Sequence, residues 1–223
     1  MERRAPSPRR AANVENTEIV NRFLDKYFYT EDNGFYDFRR IDDRARQVAG
    51  VDVEFSFREE PYVADEKAAS DYINKAYPLS TFSLELAFVN KTNRIMDGWF
   101  IREDLDTDSY VFVWIDSAEM HNYEETNIRV INNEDSIKIA DVALVRKSDI
   151  KGYLESLGWT QERLREKCER IIKCGGDGEN MGNVWHNGCK FSYSKHLVEQ
   201  PVNVLVPRNK LIEMAVISRH YGF

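Results

Sequence analysis

The amino-acid sequence predicts an α/β protein whose mixed, largely antiparallel central β-sheet is flanked by helices. Two observations support this class: apolar and polar residues alternate in several segments of the first half, and apolar residues recur at helical spacing in the last third. Hydrophobic residues fill 42% of the 223 positions, which excludes a disordered chain because such chains lack the apolar surface to fold. We predict one domain over residues 14–223, more helical from about residue 147, after a flexible basic arm over residues 1–13.

The first two thirds of the chain are predicted to contain one helix followed by strands. Apolar residues at helical spacing predict a helix from Ile19 to Phe28, with Asn16 or Thr17 as its N-cap. Alternation, together with aromatic and β-branched residues, predicts the strands. They cover residues 51–57, 62–69, 82–88, 99–101 and 110–115, with a turn at 58–61 and a short helix at about 70–76.

The last third is predicted to contain three helices and one strand. Ser148 caps the first predicted helix, which ends at Gly158, and Thr160 begins the second, which ends at Gly175. Residues 202–206 form a short buried strand, and Pro207 stands at the entry to the third helix.

Charge is unevenly distributed along the chain. The formal net charge is −7, but residues 151–223 carry 11 Lys and Arg against 8 Asp and Glu, a net of +3, so residues 1–150 carry −10. This balance excludes a basic protein that coats nucleic acid. It does not exclude an enzyme on nucleic acid, because the carboxylates that hold metal ions are themselves acidic.

The sequence also favours a cytoplasmic protein without a membrane segment. No stretch approaches the roughly 18 apolar residues of a membrane span, and the N-terminus has no apolar stretch typical of a secretory signal. Three cysteines, an odd number, fit a reducing compartment.

The segment from Gly50 to Ala69 is the most informative part of the sequence, since it reads as a β-hairpin. A turn centred on Glu59 and Glu60 places Asp52 opposite Lys67 and Glu54 opposite Asp65. All four polar side chains then share one face. A slip of one residue would move every side chain of one strand to the other face, so the cluster depends on the register.

Two carboxylates beside a lysine suit metal-assisted phosphoryl chemistry. Mg²⁺ is bound through one or two carboxylates, and it readily accepts phosphate oxygens as further ligands. It lowers the pKa of a bound water and stabilises charge on a phosphoryl oxygen. A nearby ammonium group can orient the attacking water or contact the phosphate.

Asp52, followed after twelve residues by Asp65-Glu66-Lys67, resembles the catalytic signature of the PD-(D/E)XK nuclease superfamily. The resemblance implies a restriction-endonuclease-like core and Mg²⁺-dependent endonuclease activity on DNA, with Mn²⁺ able to substitute. It implies that Asp52 and Asp65 are metal ligands, with the backbone carbonyl of Glu66 as another, and that Lys67 assists the nucleophilic water. Val51 replaces the proline of the family name, a departure that the family commonly tolerates.

The family often adds further acids, for which the sequence offers candidates. Glu18 or Glu15 of the first helix would supply one, and Glu85 on the polar face of its strand another. Glu54 competes with Asp52 as the first ligand. About 20 residues carry the signature, and the C-terminal third has no residue-by-residue match.

Two alternatives to a nuclease remain open. The hairpin can be solvent-facing and held by ordinary cross-strand ion pairs. The same fold can also serve as a non-catalytic module that binds nucleic acid or protein. The sequence does not distinguish DNA from RNA as the substrate. It also does not indicate the specificity, the pathway or the oligomeric state.

Other candidate sites are weaker. The spacing of Cys168, Cys174, His186, Cys189 and His196 lacks the short pairs of a zinc site, and Cys189 with His186 has no third group to orient a nucleophile. Residues 175–188 are predicted to be a mobile glycine-rich loop, where Trp185 can either contact bases or pack in the core. The basic residues of the helix over 160–174 are predicted to be solvated, with a phosphate-tracking edge as the alternative.

Overall fold

The computed structural model describes residues 8–73, 78–122, 128–176, 185–186 and 189–223. The described residues form a mixed α/β structure with a mainly antiparallel six-stranded sheet, as predicted. Its α-helices are α1 (Pro8–Phe23), α2 (Arg44–Val48), α3 (Lys147–Ser156), α4 (Gln161–Lys173) and α5 (Arg208–Glu213). In these residues, no helix has the length and apolar character needed to cross a membrane.

The main sheet is antiparallel except at one central pair. Its strands, in spatial order, are β1 (Phe35–Arg40), β2 (Val53–Phe57), β3 (Glu60–Ala68), β6 (Ser109–Ala118), β9 (Ile137–Arg146) and β13 (Ile217–Gly222). Strands β3 and β6 are parallel and neighbouring, and every other adjacent pair is antiparallel. The sheet curls, so that Tyr221 of β13 donates a hydrogen bond to the carbonyl of Tyr27, before β1.

A second, antiparallel sheet covers part of one face of the main sheet. Its strands, in spatial order, are β10 (Trp185–His186), β11 (Cys189–Tyr193), β12 (Val202–Pro207), β4 (Thr81–Val89) and β5 (Ile95–Asp97). A two-stranded sheet pairs β7 (Met120–Asn122) with β8 (Arg129–Ile131).

The main sheet therefore separates two hydrophobic cores. The α1-side core packs α1 against one face, and the second core packs the second sheet, α3 and α4 against the other. Alternate residues of β6 divide between them: Val111 and Val113 enter the α1-side core, while Tyr110, Phe112 and Trp114 enter the second core. This explains the continuous apolar run of β6, because a strand covered on both faces has no solvent-facing positions.

Several predicted boundaries are confirmed. Strand β4 spans the predicted segment, Thr160 caps α4 by accepting a hydrogen bond from the Arg163 N–H, and β12 and α5 follow as predicted. Gly175, with a φ of 64°, follows the end of α4. A left-handed residue in that position is the usual end of a helix.

Other predictions about local structure are wrong. Helix α1 begins at Pro8, inside the predicted arm, and Asn16 is not a cap: its buried side chain accepts a hydrogen bond from the Ile131 N–H across the α1-side core. The cap position of α3 is Arg146 rather than Ser148. Residues 99–101 form a turn after β5 instead of a strand. The predicted helix over 70–76 is a 3₁₀ turn at Ser70–Tyr72, beyond which residues 74–77 lie outside the described part.

Candidate active site

The hairpin of β2 and β3 turns one residue earlier than predicted. Arg58 and Glu59, with φ of 51° and 68°, form a two-residue turn, and Phe57 pairs with Glu60. Positive φ at both positions is the geometry of a type I′ turn, whose twist matches the flanking strands. The predicted register is therefore wrong by two residues on one strand.

A displacement of two residues keeps every side chain on its predicted face. Val53 pairs with Ala64, and Asp52 immediately precedes this pair, so Asp52 lies beside Asp65 instead of Lys67. The Asp52 N–H donates to the Ala64 carbonyl at 3.0 Å, and a carboxylate oxygen of Asp52 accepts the Glu66 N–H at 2.9 Å. These two bonds hold the Asp52 carboxylate at the point where β2 begins.

Asp65 is the central carboxylate of the cluster. Its side chain is buried, and Lys67 Nζ lies 2.6 Å from Asp65 Oδ1. Burial raises the pKa of Asp65 to about 7, against the attraction of Lys67 and with a further increase from the negative charge of Asp52. Two neighbouring carboxylates repel each other when both are ionised, and a cation between them would relieve the repulsion.

The second sheet supplies the opposite wall of the cluster. The Lys67 ammonium lies 4.9 Å from the centroid of the Trp99 ring, a cation–π contact. Burial and the charge of Glu199 raise the pKa of Glu85 on β4, while the backbone N–H of Trp99 and the charge of Lys67 oppose this rise. The turn approaches β4 closely: a Cβ atom added at Gly98 would lie 2.5 Å from the Glu85 carbonyl oxygen, so only glycine fits there.

Tyr110 completes this environment from β6. It pairs with Asp65 across the parallel strands, and its ring packs against Trp99 with the centroids 5.1 Å apart. Its hydroxyl is one of two buried side-chain polar atoms, among the described residues, that lack a hydrogen-bond partner. Burial and the charge of Asp65 raise the pKa of this hydroxyl. A buried hydroxyl without a partner is unusual, because buried polar groups are nearly always satisfied.

Glu66 lies on the other face of β3, in the α1-side core. Its carboxylate accepts hydrogen bonds from Arg40 at 2.6 Å and from the Tyr29 hydroxyl at 2.8 Å. The side chain of Glu66 is thus separated from Asp52 and Asp65 by the sheet. The prediction of a ligand at Glu66 concerned its backbone carbonyl, and that prediction stays open.

The remaining candidate acids do not join the cluster. Glu54 forms ion pairs with Arg39 and Arg46; burial raises its pKa, but the two guanidinium groups together outweigh burial and lower it. Glu18 is exposed on α1, and Glu15 is on the same helix, which packs on the face of the sheet opposite to Asp65. Their predicted roles as additional ligands therefore have no support in this geometry.

The cluster fits a metal that needs few protein ligands. Within the described ranges, no group of three or more His, Cys, Asp or Glu side chains is placed to hold a metal ion. Mg²⁺ typically uses one or two carboxylates and completes its shell with waters and substrate oxygens. Asp52 and Asp65 meet that requirement, and the buried Tyr110 hydroxyl nearby has no hydrogen-bond partner among the described residues.

The other predicted sites are only partly described. All three cysteines are free, with Cys168 and Cys189 buried and Cys174 exposed. Residues 177–184 and 187–188, and the side chains of Trp185 and His186, lie outside the described residues, so the loop prediction is not addressed. On α4, Arg163, Arg170 and Lys173 are exposed, as the solvated-helix interpretation requires. The interpretation is wrong for Lys167, which is buried with its ammonium 5.7 Å from the centroid of the Phe191 ring.

Comparison of the chain with protein-family models, with curated proteins and with solved structures finds no match. The function is therefore inferred from the geometry of the cluster and from the resemblance of its residues to a nuclease signature.

Sequence reasoning placed Asp52, Asp65, Lys67 and Glu85 in the candidate site but missed Trp99 and Tyr110. Tyr110 belongs to a continuous apolar run and resembles an ordinary core residue. Trp99 reaches Lys67 only because the second sheet packs over β3. A long-range contact of this kind leaves no local signal in the sequence.

Proposed function

We propose that this protein is a Mg²⁺-dependent endonuclease that hydrolyses DNA phosphodiester bonds at Asp52, Asp65 and Lys67. The main support is that the two carboxylates and the lysine share one face of an antiparallel hairpin, with Lys67 Nζ 2.6 Å from Asp65. The choice of DNA follows from the resemblance to PD-(D/E)XK nucleases.

In this proposal, Asp52 and Asp65 hold the divalent cation. The bound cation would supply a water of lowered pKa and stabilise charge on the phosphoryl oxygens. Asp52 is fixed by the Glu66 N–H, so its carboxylate is held in place before a metal binds. Preorganised ligands of this kind avoid a cost of reorganisation during the reaction.

Lys67 would stabilise negative charge that develops on the phosphate. Its ammonium is restricted by Asp65 on one side and by the Trp99 ring on the other. The turn that carries this ring is held against β4 by a hydrogen bond from the Phe100 N–H to the Glu85 carbonyl at 3.1 Å. A cation restricted in this manner is more effective than one that moves freely in water.

The test is cleavage of supercoiled plasmid by the purified protein in Mg²⁺ or Mn²⁺, with EDTA as the reference. We expect Lys67→Ala and Asp65→Asn each to reduce the cleavage rate at least about 100-fold. Lys138→Ala is the matched control, because Lys138 is a partly exposed lysine paired with Glu119 at 3.4 Å, on β9. Wild-type cleavage by Lys67→Ala and Asp65→Asn would exclude this site.

The alternative is a module on the same fold that binds nucleic acid or protein without cleaving it. Thermal denaturation with Mn²⁺ distinguishes the two. We expect Mn²⁺ to raise the Tm of the wild type and to have no effect on the Tm of Asp52→Asn or Asp65→Asn. A wild-type protein whose Tm does not respond to Mn²⁺ favours the binding module.

A further inference from the structure

A basic pocket lies at one end of the main sheet, next to the candidate active site. It has a volume of about 390 Å³ and lies where β3 and β6 begin, β9 ends and α3 starts. Arg146, Lys147 and Lys151 line it, together with two acids, Glu60 and Asp108. The volume falls within the range of pockets that bind small ligands.

The acids leave part of this positive charge uncompensated. Glu60 is paired with Arg146, which also donates to the Tyr62 hydroxyl at 2.8 Å, and both hydrogen bonds come from Nη2. Among the described residues, no carboxylate lies within ion-pair distance of Lys151. Burial lowers the pKa of Lys147, and the neighbouring positive charge of Lys151 lowers it further.

The start of α3 adds donors to the pocket. The helix begins at Lys147, and its cap position, Arg146, makes no side-chain hydrogen bond to the first turn. The Lys147 N–H donates a hydrogen bond to the Asp108 carbonyl at 2.8 Å. Ser148, the second residue of the helix, lines the pocket. First-turn N–H groups and the positive end of the helix dipole favour an anion.

A buried and unpartnered hydroxyl in the pocket is the independent sign of a ligand. Ser109 lines the pocket, is fully buried and has no hydrogen-bond partner for its Oγ atom. Burial raises the pKa of the Asp108 carboxyl group and the nearby Ser109 hydroxyl partly opposes this rise, but the two groups form no hydrogen bond of normal geometry. A bound oxyanion would accept a hydrogen bond from this hydroxyl.

The pocket lies on the same strand as the candidate active site, although Asp52, Asp65 and Lys67 are not part of its lining. Ser109 pairs with Ala64, the residue before Asp65, and the charge of Asp65 acts on Lys147. Pro61, also in the lining, precedes Asp65 by four residues on β3, roughly 13 Å at the rise of a strand. One DNA strand carries a phosphate for every ~3.4 Å of helix axis, so a neighbouring phosphate of a strand held at Asp65 can reach the pocket.

We propose that this pocket binds a backbone phosphate of the same nucleic-acid strand that the active site cleaves, a few nucleotides from the cleaved bond. The inference rests on the proposed function for its biological meaning, but binding is measurable without cleavage. Lys151 and Arg146 would neutralise the phosphate, and Ser109 and the first turn of α3 would donate hydrogen bonds to it.

The test is fluorescence anisotropy of a labelled DNA oligonucleotide in EDTA, titrated at several salt concentrations. We expect Lys151→Ala to weaken binding about 5-fold and to reduce the slope of log affinity against log salt by about one. Lys151→Glu should weaken binding at least about 10-fold. Ser109→Ala, which removes a buried hydroxyl without a partner, should weaken binding while leaving the Tm unchanged or raised. Lys138→Ala, the matched control, should bind like the wild type.

Three results separate this inference from the proposed function. If Lys151→Ala and Lys151→Glu bind like the wild type while plasmid cleavage depends on Asp65, the pocket inference is wrong and the nuclease stands. If both variants bind more weakly but the wild type never cleaves, the pocket stands and the nuclease fails. If inorganic phosphate raises the Tm and the oligonucleotide does not compete with it, the pocket holds free phosphate and the inference is overturned.

Discussion

Asp65 and Glu66 are consecutive residues of β3, and burial raises the pKa of both carboxyl groups. Their side chains are equally buried, each 7% exposed. They differ in their partners. Glu66 is met by the guanidinium of Arg40 and the hydroxyl of Tyr29, whereas Asp65 is met by one lysine and by a second carboxylate, that of Asp52.

This difference shows how one strand can carry a structural carboxylate on one face and a candidate functional one on the other. A buried charge with a full set of partners stabilises a particular arrangement, and loss of a partner is costly. A buried charge that faces another of the same sign destabilises the fold unless a ligand compensates it. Burial alone would not separate the two residues.

The largest effect on stability is expected when Glu66 loses its positively charged partner. Arg40→Ala leaves Glu66 buried without its cation, and we expect the free energy of unfolding to fall by about 3–5 kcal/mol. Urea denaturation followed by circular dichroism measures this change. Arg39→Ala is the matched control: Arg39 is the preceding residue, its side chain is 67% exposed, and its loss should cost no more than about 1 kcal/mol. Equal costs for the two variants would mean that Glu66 is not a structural carboxylate.

Removing the Asp65 carboxylate, on the other face of β3, should instead stabilise the protein. In EDTA at pH 8, Asp65→Asn removes a repelled charge, so we expect its Tm to rise by several degrees, equivalent to about 1–2 kcal/mol. Glu66→Gln should lower the Tm, because it weakens the contacts with Arg40 and Tyr29.

The pH dependence of stability gives a second test of the role of Asp65. The pKa of Asp65 is about 7 in the folded protein against 3.8 for an unperturbed aspartate, so the folded state binds more protons between these two values. Stability therefore falls as pH rises from about 4 to about 7. The measurement is the Tm of wild type and Asp65→Asn across this range in EDTA. A gap that does not widen with rising pH would contradict the raised pKa of Asp65.

The local pattern of residues predicted much of the fold and the members of the cluster. Alternation identified β2, β3 and β4, and the Thr160 cap identified the start of α4, because these features depend on neighbours in sequence. Strand β9 was not predicted, and the parallel pairing of β3 with β6 joins segments that are separated in the chain by two strands of the second sheet, β4 and β5. Tertiary packing decides both.

In the candidate site too, features set by sequence neighbours were predicted and features set by long-range structure were not. The shared face of Asp52, Asp65 and Lys67 follows from the period of two along a strand. The prediction of this face is correct even though the predicted register is wrong by two residues. The predicted cross-strand partners are wrong, because Arg58 and Glu59 are not the Asn-Gly or Gly-containing pairs that are typical of a type I′ turn. Whether the cluster is catalytic stays a prediction.

The smallest expected effect tests the register on which the comparison of the two faces depends. Glu59 has a φ of 68°, which is strained for a residue with a side chain, so Glu59→Gly should raise the free energy of unfolding by about 0.5–1 kcal/mol. Glu60→Gly is the matched control, and it should be destabilising, since Glu60 begins β3 and pairs with Arg146. Urea denaturation of both variants measures the difference. If the turn were instead centred on Glu59 and Glu60, Glu60→Gly would be the stabilising change, and Asp52 would again face Lys67 rather than Asp65.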